Sequence, residues 1–300
     1  MNNAFCNNCD LSNSIPELVA NEILGTEQMN FVRMRYNDMV VNYDKTYQEW
    51  QQYFNEYKTE LKTFNGYTDT ISVIIPITHS YFKDIKEPHG ENKVQGAIGV
   101  DLPTWFNIDN ARKQQRIMFI AQDPLRGNKW YGGNGSVSEE AEKKYPNRVC
   151  MDAILSTPFG LHDKEWRSKG NGGGLFCRLI ERCVNEGLGV YLTDCRKYFV
   201  YDHKTSDNYS KSKREKYVDI LRKEIELIRP TLIICVGKSA RDLCDDIKDE
   251  KIQSLFKGKF PHLSGLGRGA IKKSFEIEGK ATNEIVVEAY FKRIQKYIGE

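Results

Sequence analysis

Residues 117–127, "IMFIAQDPLRG", run four apolar residues into Ala-Gln-Asp-Pro and then into a basic turn that ends in glycine. The apolar run marks a buried strand. Asp-Pro is a ready terminator for it, because Pro fixes its own φ and Asp can bond the backbone ahead. The same position has a second reading. Open α/β sheets build their sites at the carboxyl ends of parallel strands, and this strand delivers Asp123 there.

Outward from that strand, hydrophobic patterning predicts a regular alternation in the second half of the chain. A strand at 116–121 is followed by a helix near 174–186, a strand at 189–194, a helix at 212–228, a strand at 231–236, and a helix from 238 entered through Ser239. Alternation of this kind implies a parallel sheet with helices on both faces. Two long polar loops, 124–149 and 200–212, interrupt the pattern. Loops of that length inside a compact domain tend to be functional or disordered. In the first third, residues 27–64 place apolar and aromatic side chains from Met29 to Leu61 mostly three and four apart, which predicts one or two amphipathic helices. Such a stripe packs as core more often than it stacks on bases. "TISVIIPITHSYF", residues 70–82, predicts a strand with Pro76 at an edge or a bulge.

The composition, with 40% apolar and 28% charged residues over 300 positions, is that of a globular protein with a sizeable core. A net charge of +3 neither requires nor excludes a polyanionic partner, so any basic surface is local. The opening "MNNAFCNNCDLSNS" lacks the basic start and apolar run of a signal peptide, and no stretch approaches a membrane span. Eight cysteines, several in apolar segments such as "LIICVG" and "LFCRLI", are expected as reduced thiols in a cytoplasmic protein.

Three segments carry the chemistry. "IMFIAQDPLRG" contains Asp123, "GVYLTDCRKYF" contains Asp194, and "KFPHLSGLGRGAIKK" contains His262. In this order, over roughly residues 115–270, they resemble the uracil-DNA glycosylase superfamily. Its motifs are Gly-Gln-Asp-Pro-Tyr-His, a strand ending in Asn, and a His-Pro-Ser-Pro-Leu loop. The resemblance implies a three-layer αβα sandwich with a central, mainly parallel four-stranded sheet. A domain at 111–300 would be catalytic, and residues 1–110 would form a helical extension with a strand, packed on the core. The resemblance also implies roles for single residues. Asp123 would activate water, Gln122 would contact the base through its backbone, and Phe159 would stack on the base. His262 would donate to the departing base. Ser264 would contact phosphate and Leu266 would fill the gap left by a flipped nucleotide. By charge alone, Arg268, Lys272 and Lys273 are expected either to meet phosphates or to form a solvated turn. Cleaving an N-glycosidic bond leaves positive charge on the sugar and negative charge on the base, so a carboxylate and a fixed donor on opposite sides suit it. The base must first leave the stack, at a cost of a few kcal/mol.

Two departures bear on the substrate. The family's tyrosine beside C5 of uracil is Leu125 here, and its base-reading asparagine is Asp194. Asparagine matches uracil, donating to O4 and accepting from N3-H. An aspartate accepts from the N4 amine of cytosine and, if protonated, donates to N3. A cytosine carrying a C5 substituent, hydroxymethylated or glucosylated as in some bacteriophage DNA, is therefore the expected target. On this reading the chain resembles phage-restricting members of the superfamily. Uracil excision and a silent DNA-binding module are the alternatives. Cys6 and Cys9 match half of the iron–sulfur ligand set of some members, but no cysteine follows Cys195 at the required spacing, so neither metal nor other cofactor is expected. DNA is the expected partner, with neither a membrane nor an obligate protein partner. On this resemblance, Asp123→Asn keeps DNA binding and loses most turnover, as scored by abasic-site formation, because the amide is a poor base.

Overall fold

The computed structural model describes residues 97–101, 103–108, 115–122, 157–161, 164–168, 173–200, 211–258, 260–263 and 267–299, with isolated positions 18, 46, 48, 49 and 52. The predicted helices of 27–64, apart from those positions, the predicted strand at 70–82, Cys6, Cys9, Asp123, Leu125, Ser264, Leu266, and nearly all of the two long loops lie outside the described residues.

Four strands form the central sheet. They are β2 (Thr104–Phe106), β3 (Arg116–Ala121), β4 (Gly189–Asp194) and β6 (Leu232–Cys235), in the order β2-β4-β3-β6. β3 is parallel to both neighbours, whereas β2 runs antiparallel along the outer side of β4. A separate antiparallel pair joins β1 (Ala97–Val100) to β5 (Tyr198–Val200). The described helices are α1 (Lys164–Ser168), α2 (Gly173–Asn185), α3 (Lys211–Ile228), α4 (Lys238–Cys244), α5 (Glu250–Gln253), α6 (Arg268–Phe275) and α7 (Asn283–Gly299), with a short 3-10 turn at Pro158–Gly160. The sheet is thus mainly parallel, as the alternation predicted, and four-stranded within an α/β sandwich, as the resemblance implied. Its edge strand β2 begins before residue 111, so part of the sheet lies upstream of the expected domain boundary.

Residue type explains the placement. Ile117, Met118, Phe119 and Ile120 are all fully buried, because β3 has a strand on either side and packed layers above and below. Phe176 of α2 meets Phe119 edge to face at 5.3 Å, in a contiguous core that also takes Val286, Tyr290, Phe291 and Ile294 from α7. The helix after β6 starts at Lys238, with Gly237 and not Ser239 at its N-cap. Gly237 sits at φ +98, a left-handed value that side chains strain to adopt, and this turn supplies the helix start that Ser239 was expected to give.

The core also holds a charged cluster. Lys197 is fully buried and its ammonium lies 2.7 Å from Glu224 and 3.0 Å from Asp101. It also donates to the Thr193 hydroxyl at 2.5 Å, while Tyr191 donates to Glu224 at 2.9 Å. Burial alone would lower the lysine pKa. The charges of Glu224 and Asp101, with the hydrogen bonds they accept, outweigh it and raise the value to about 12. Burial pushes both carboxyls up, and Lys197 opposes it. Because the folded lysine binds its proton more tightly than the ordinary value of 10.5, its stabilisation is complete below that pH and is lost as the pH climbs through about 12. Thermal melts from about pH 9 upward should show that alkaline loss in the parent. Lys197→Met, already weaker by roughly 3–5 kcal/mol, should lack it.

Candidate functional site

Parallel pairing aligns three chain ends on one edge of the sheet. Ala121 at the end of β3 is in register with Asp194 at the end of β4, and Ile120 is in register with Cys235 of β6. The chain beyond each strand is then tied to its neighbour. The Gln122 carbonyl accepts the Arg196 N–H at 3.1 Å and the Cys195 thiol at 3.0 Å, and the Ala121 carbonyl accepts the Cys195 N–H at 2.8 Å. Gln122, the last described residue before Asp123, therefore sits against the turn that follows Asp194. Asp194 closes β4 with only 2% of its surface exposed and is followed by a bend, not by a helix that it could cap.

The third wall comes from later in the chain. Val236 donates to the Ile120 carbonyl at 2.8 Å, forms a parallel bridge with Phe260, and is followed by Gly237, which donates to the Phe260 carbonyl at 3.0 Å. The segment leading into His262 is thus laid along the end of β6. Its imidazole is half-buried, and a Cβ on Gly237 would stand 3.6 Å from the His262 Cβ. On its other flank His262 meets the ring of Phe159, centroid to centroid at 5.4 Å. Phe159 lies in a short 3-10 turn, Pro158–Gly160, at the left-handed φ of +58. A non-glycine residue held there costs on the order of 1–3 kcal/mol, a kind of strain that clusters at functional sites. Its ring stacks on Phe176 at 4.5 Å, which couples it to the core.

Tyr290 of α7 holds the histidine segment from behind. Fully buried, it donates its hydroxyl to the Pro261 carbonyl, and its ring packs on Phe260 and Phe275. Burial pushes the phenol well above its ordinary pKa, so it stays a donor across the working pH range. Neither Tyr290 nor α7 is among the features predicted from the sequence. Apolar residues at helical spacing from Val286 to Ile294 are the available signal for the helix, but nothing local links a tyrosine to a carbonyl 29 positions earlier.

The expected DNA contacts are less centrally placed. Arg268, on the first turn of α6, turns its guanidinium toward the Ala281 carbonyl at 3.0 Å and the Asn283 side chain. Lys272 is exposed one turn on. Both line an open concavity of about 650 Å³ with Lys280, Asn283 and Glu284. The structure therefore brings together Gln122, Phe159, Asp194 and His262 at the sheet edge, and puts Arg268 and Lys272 on a neighbouring helix. Asp123, Leu125, Ser264 and Leu266 lie outside the described residues. Among the described residues, Cys177, Cys183, Cys195, Cys235 and Cys244 carry free thiols, and no cluster of His, Cys, Asp or Glu is placed to hold a metal.

A sheet edge that pairs a buried carboxylate with an aromatic ring and an imidazole suits a planar heteroaromatic group, stacked on one face and hydrogen-bonded at its edge. Comparison with known families adds to this geometry. The family model for the uracil DNA glycosylase superfamily matches residues 108–286, more than half of the chain. The chain belongs to the uracil DNA glycosylase superfamily. Members of this superfamily are DNA glycosylases, hydrolases whose substrate is DNA. The match spans the edge that carries Gln122, Phe159, Asp194 and His262. No curated protein and no solved structure matches the chain. No helix among the described residues is long and apolar enough to cross a membrane.

Tyr290→Phe keeps the ring packing and removes the donor to Pro261. It should cost about 1 kcal/mol of stability. If the histidine segment serves catalysis, single-turnover excision should also slow several-fold at a temperature where the variant is fully folded.

Proposed function

We propose that this glycosylase excises a C5-modified cytosine, hydroxymethylated or glucosylated, leaving an abasic site in the DNA of invading phage. The observation that carries the reading is the residue at position 194. The resemblance sets asparagine at the end of this strand, and here an aspartate occupies it, almost fully buried and followed by the turn that holds the Gln122 carbonyl. A buried carboxylate at the base edge accepts from the N4 amine of cytosine, a contact that uracil, with a carbonyl at that position, does not offer.

In this mechanism the target nucleotide leaves the stack and its base lodges at the sheet edge against Phe159, the cost of flipping being offset by stacking and by Leu266 filling the gap. Gln122 and Asp194 orient the base, and Leu125 leaves open the C5 side that a tyrosine would block. Asp123 orients and activates the water that attacks C1′, and His262 donates toward the base oxygen as the glycosidic bond breaks. Ser264, Arg268 and Lys272 meet phosphates. The enzyme acts without a lyase step. Lys197, the lysine nearest Asp194 in sequence, is held protonated between two carboxylates and offers no free amine for a Schiff base. Residues 1–110 form an extension that contributes β2 to the sheet, and residues 111–300 form the catalytic domain.

The test is base excision from oligonucleotides that each carry one uracil, cytosine, 5-hydroxymethylcytosine or glucosylated 5-hydroxymethylcytosine, with abasic sites as the readout. Excision of uracil alone would mark an ordinary uracil glycosylase. No abasic site on any substrate would leave a DNA-binding module. Asp194→Asn keeps the shape of the side chain and turns a donor toward N4, a mispairing that costs about 1–3 kcal/mol. Modified-cytosine excision should fall roughly ten- to a hundredfold, and uracil excision should hold or rise. An unchanged preference between the two bases would remove Asp194 from base reading.

A further inference from the structure

At the end of β4 the backbone amides alternate in direction. The Cys195 N–H points to β3, where the Ala121 carbonyl accepts it at 2.8 Å. The Asp194 N–H therefore points the other way, toward the β2 side. The β2 ladder stops at the pair Thr104–Leu192, so among the described residues no strand receives it. The acceptor is a side chain. Oδ2 of Asp101, three residues before β2, takes the Asp194 N–H at 3.0 Å. The same oxygen faces the Thr193 hydroxyl at 2.7 Å and the Lys197 ammonium at 3.0 Å, and Asp101 is fully buried. The Asp101 N–H in turn donates to the Lys197 carbonyl at 2.7 Å, so the contact is clasped from both ends. Glu224 of α3 stands on the far side of Lys197 and reaches Thr193 at 2.8 Å, but it is not the acceptor of the Asp194 amide.

We infer that Asp101 is a positioning residue for base reading: its carboxylate, neutralised by Lys197, fixes the backbone of Asp194 so that the Asp194 side chain meets the base edge in one orientation. This rests on the reading of Asp194 as the group that recognises the base. A buried charge is an uncommon way to close a strand end. A water or a neutral side chain could satisfy one amide, whereas a carboxylate that also holds the Thr193 hydroxyl and the Lys197 ammonium is itself fixed in place, and with it the amide it accepts. Stiffness matters here because a misplacement of about 1 Å in a reacting or reading group costs on the order of a hundredfold in rate.

The test measures single-turnover excision of one glucosylated 5-hydroxymethylcytosine in a duplex oligonucleotide, binding of the same duplex, and thermal stability, each below the melting temperature of the variant used. Asp101→Ala should slow excision roughly tenfold or more while the dissociation constant for DNA stays within about twofold. Asp101→Asn, which can still offer an acceptor to the amide, should recover most of the rate. Glu224→Gln should lower the melting temperature and leave the rate within about twofold. The Asp101→Ala effect should vanish in an Asp194→Ala background, because Asp101 acts through that residue. Should Asp101→Ala not fold, Asp101→Leu combined with Lys197→Met and Glu224→Gln removes the charges together, the kind of replacement buried ion clusters tolerate, and still lacks the acceptor. Excision must then fall as well. A folded Asp101 variant without the acceptor that works at the parental rate, or equal slowing with and without the Asp194 side chain, overturns the inference while Asp194 keeps its role. An Asp194→Asn variant whose base preference is unchanged overturns both.

Discussion

Parallel pairing of β3 with a strand on each side is the constraint on which the site depends. In a parallel ladder every strand ends on the same edge, so fixing the register of β3 against β4 and β6 decides which residues meet there. Here it sets Ala121 opposite Asp194 and Ile120 opposite Cys235. A shift of one residue would turn every side chain of β3 to the opposite face. It would also move Gln122 away from the turn after β4, to which it is tied by the Cys195 thiol and the Arg196 amide. The apolar run Ile117–Ile120 is therefore both the centre of the core and the ruler for the site.

The two sides of that edge are held by different forces. On the β4 side the fastening is polar and buried, a lysine and two carboxylates around one hydroxyl. On the His262 side it is largely aromatic. Phe119 meets Phe176, Phe176 stacks on Phe159, and Phe159 meets His262, so a line of four rings leads from the middle of the sheet to its edge. Edge-to-face and stacked rings hold geometry through shape and tolerate small shifts. A clamped carboxylate tolerates fewer. The His262 side, proposed to meet the departing base, is thus softer than the side proposed to read it.

Much of the architecture was legible in the sequence because it rests on local patterns. The apolar runs at 117–120 and 232–236 and the helical spacing of α2 and α3 identify their elements within a residue or two, and strand alternation leads to the parallel sheet. The short edge strand β2 was not legible, since three residues carry too little pattern to distinguish a strand from a loop. Ser239 was expected to open the helix after β6, but the backbone of Gly237 does so. Capping residues are recognised by type, whereas a left-handed turn is dictated by the segment packed against it, here Phe260 and His262. The candidate site residues Asp194 and His262 were proposed from the order of three motifs. Asp101 and Lys197 were not. Their pairing spans 96 positions, and a lone Lys three residues after Asp194 looks like any solvent-facing charge until burial is known.

Asp101 grips the main chain at position 194, a contact that does not depend on which side chain that residue carries. That independence separates the scaffold from the letter it displays. Asparagine and aspartate codons differ by one nucleotide, and both residues present the same amide N–H to the carboxylate. The strand end can therefore exchange one for the other without rebuilding its support. If position 194 reads the base as proposed, a lineage with this clasp moves between base specificities in a single mutational step, with the fold unaware of the change.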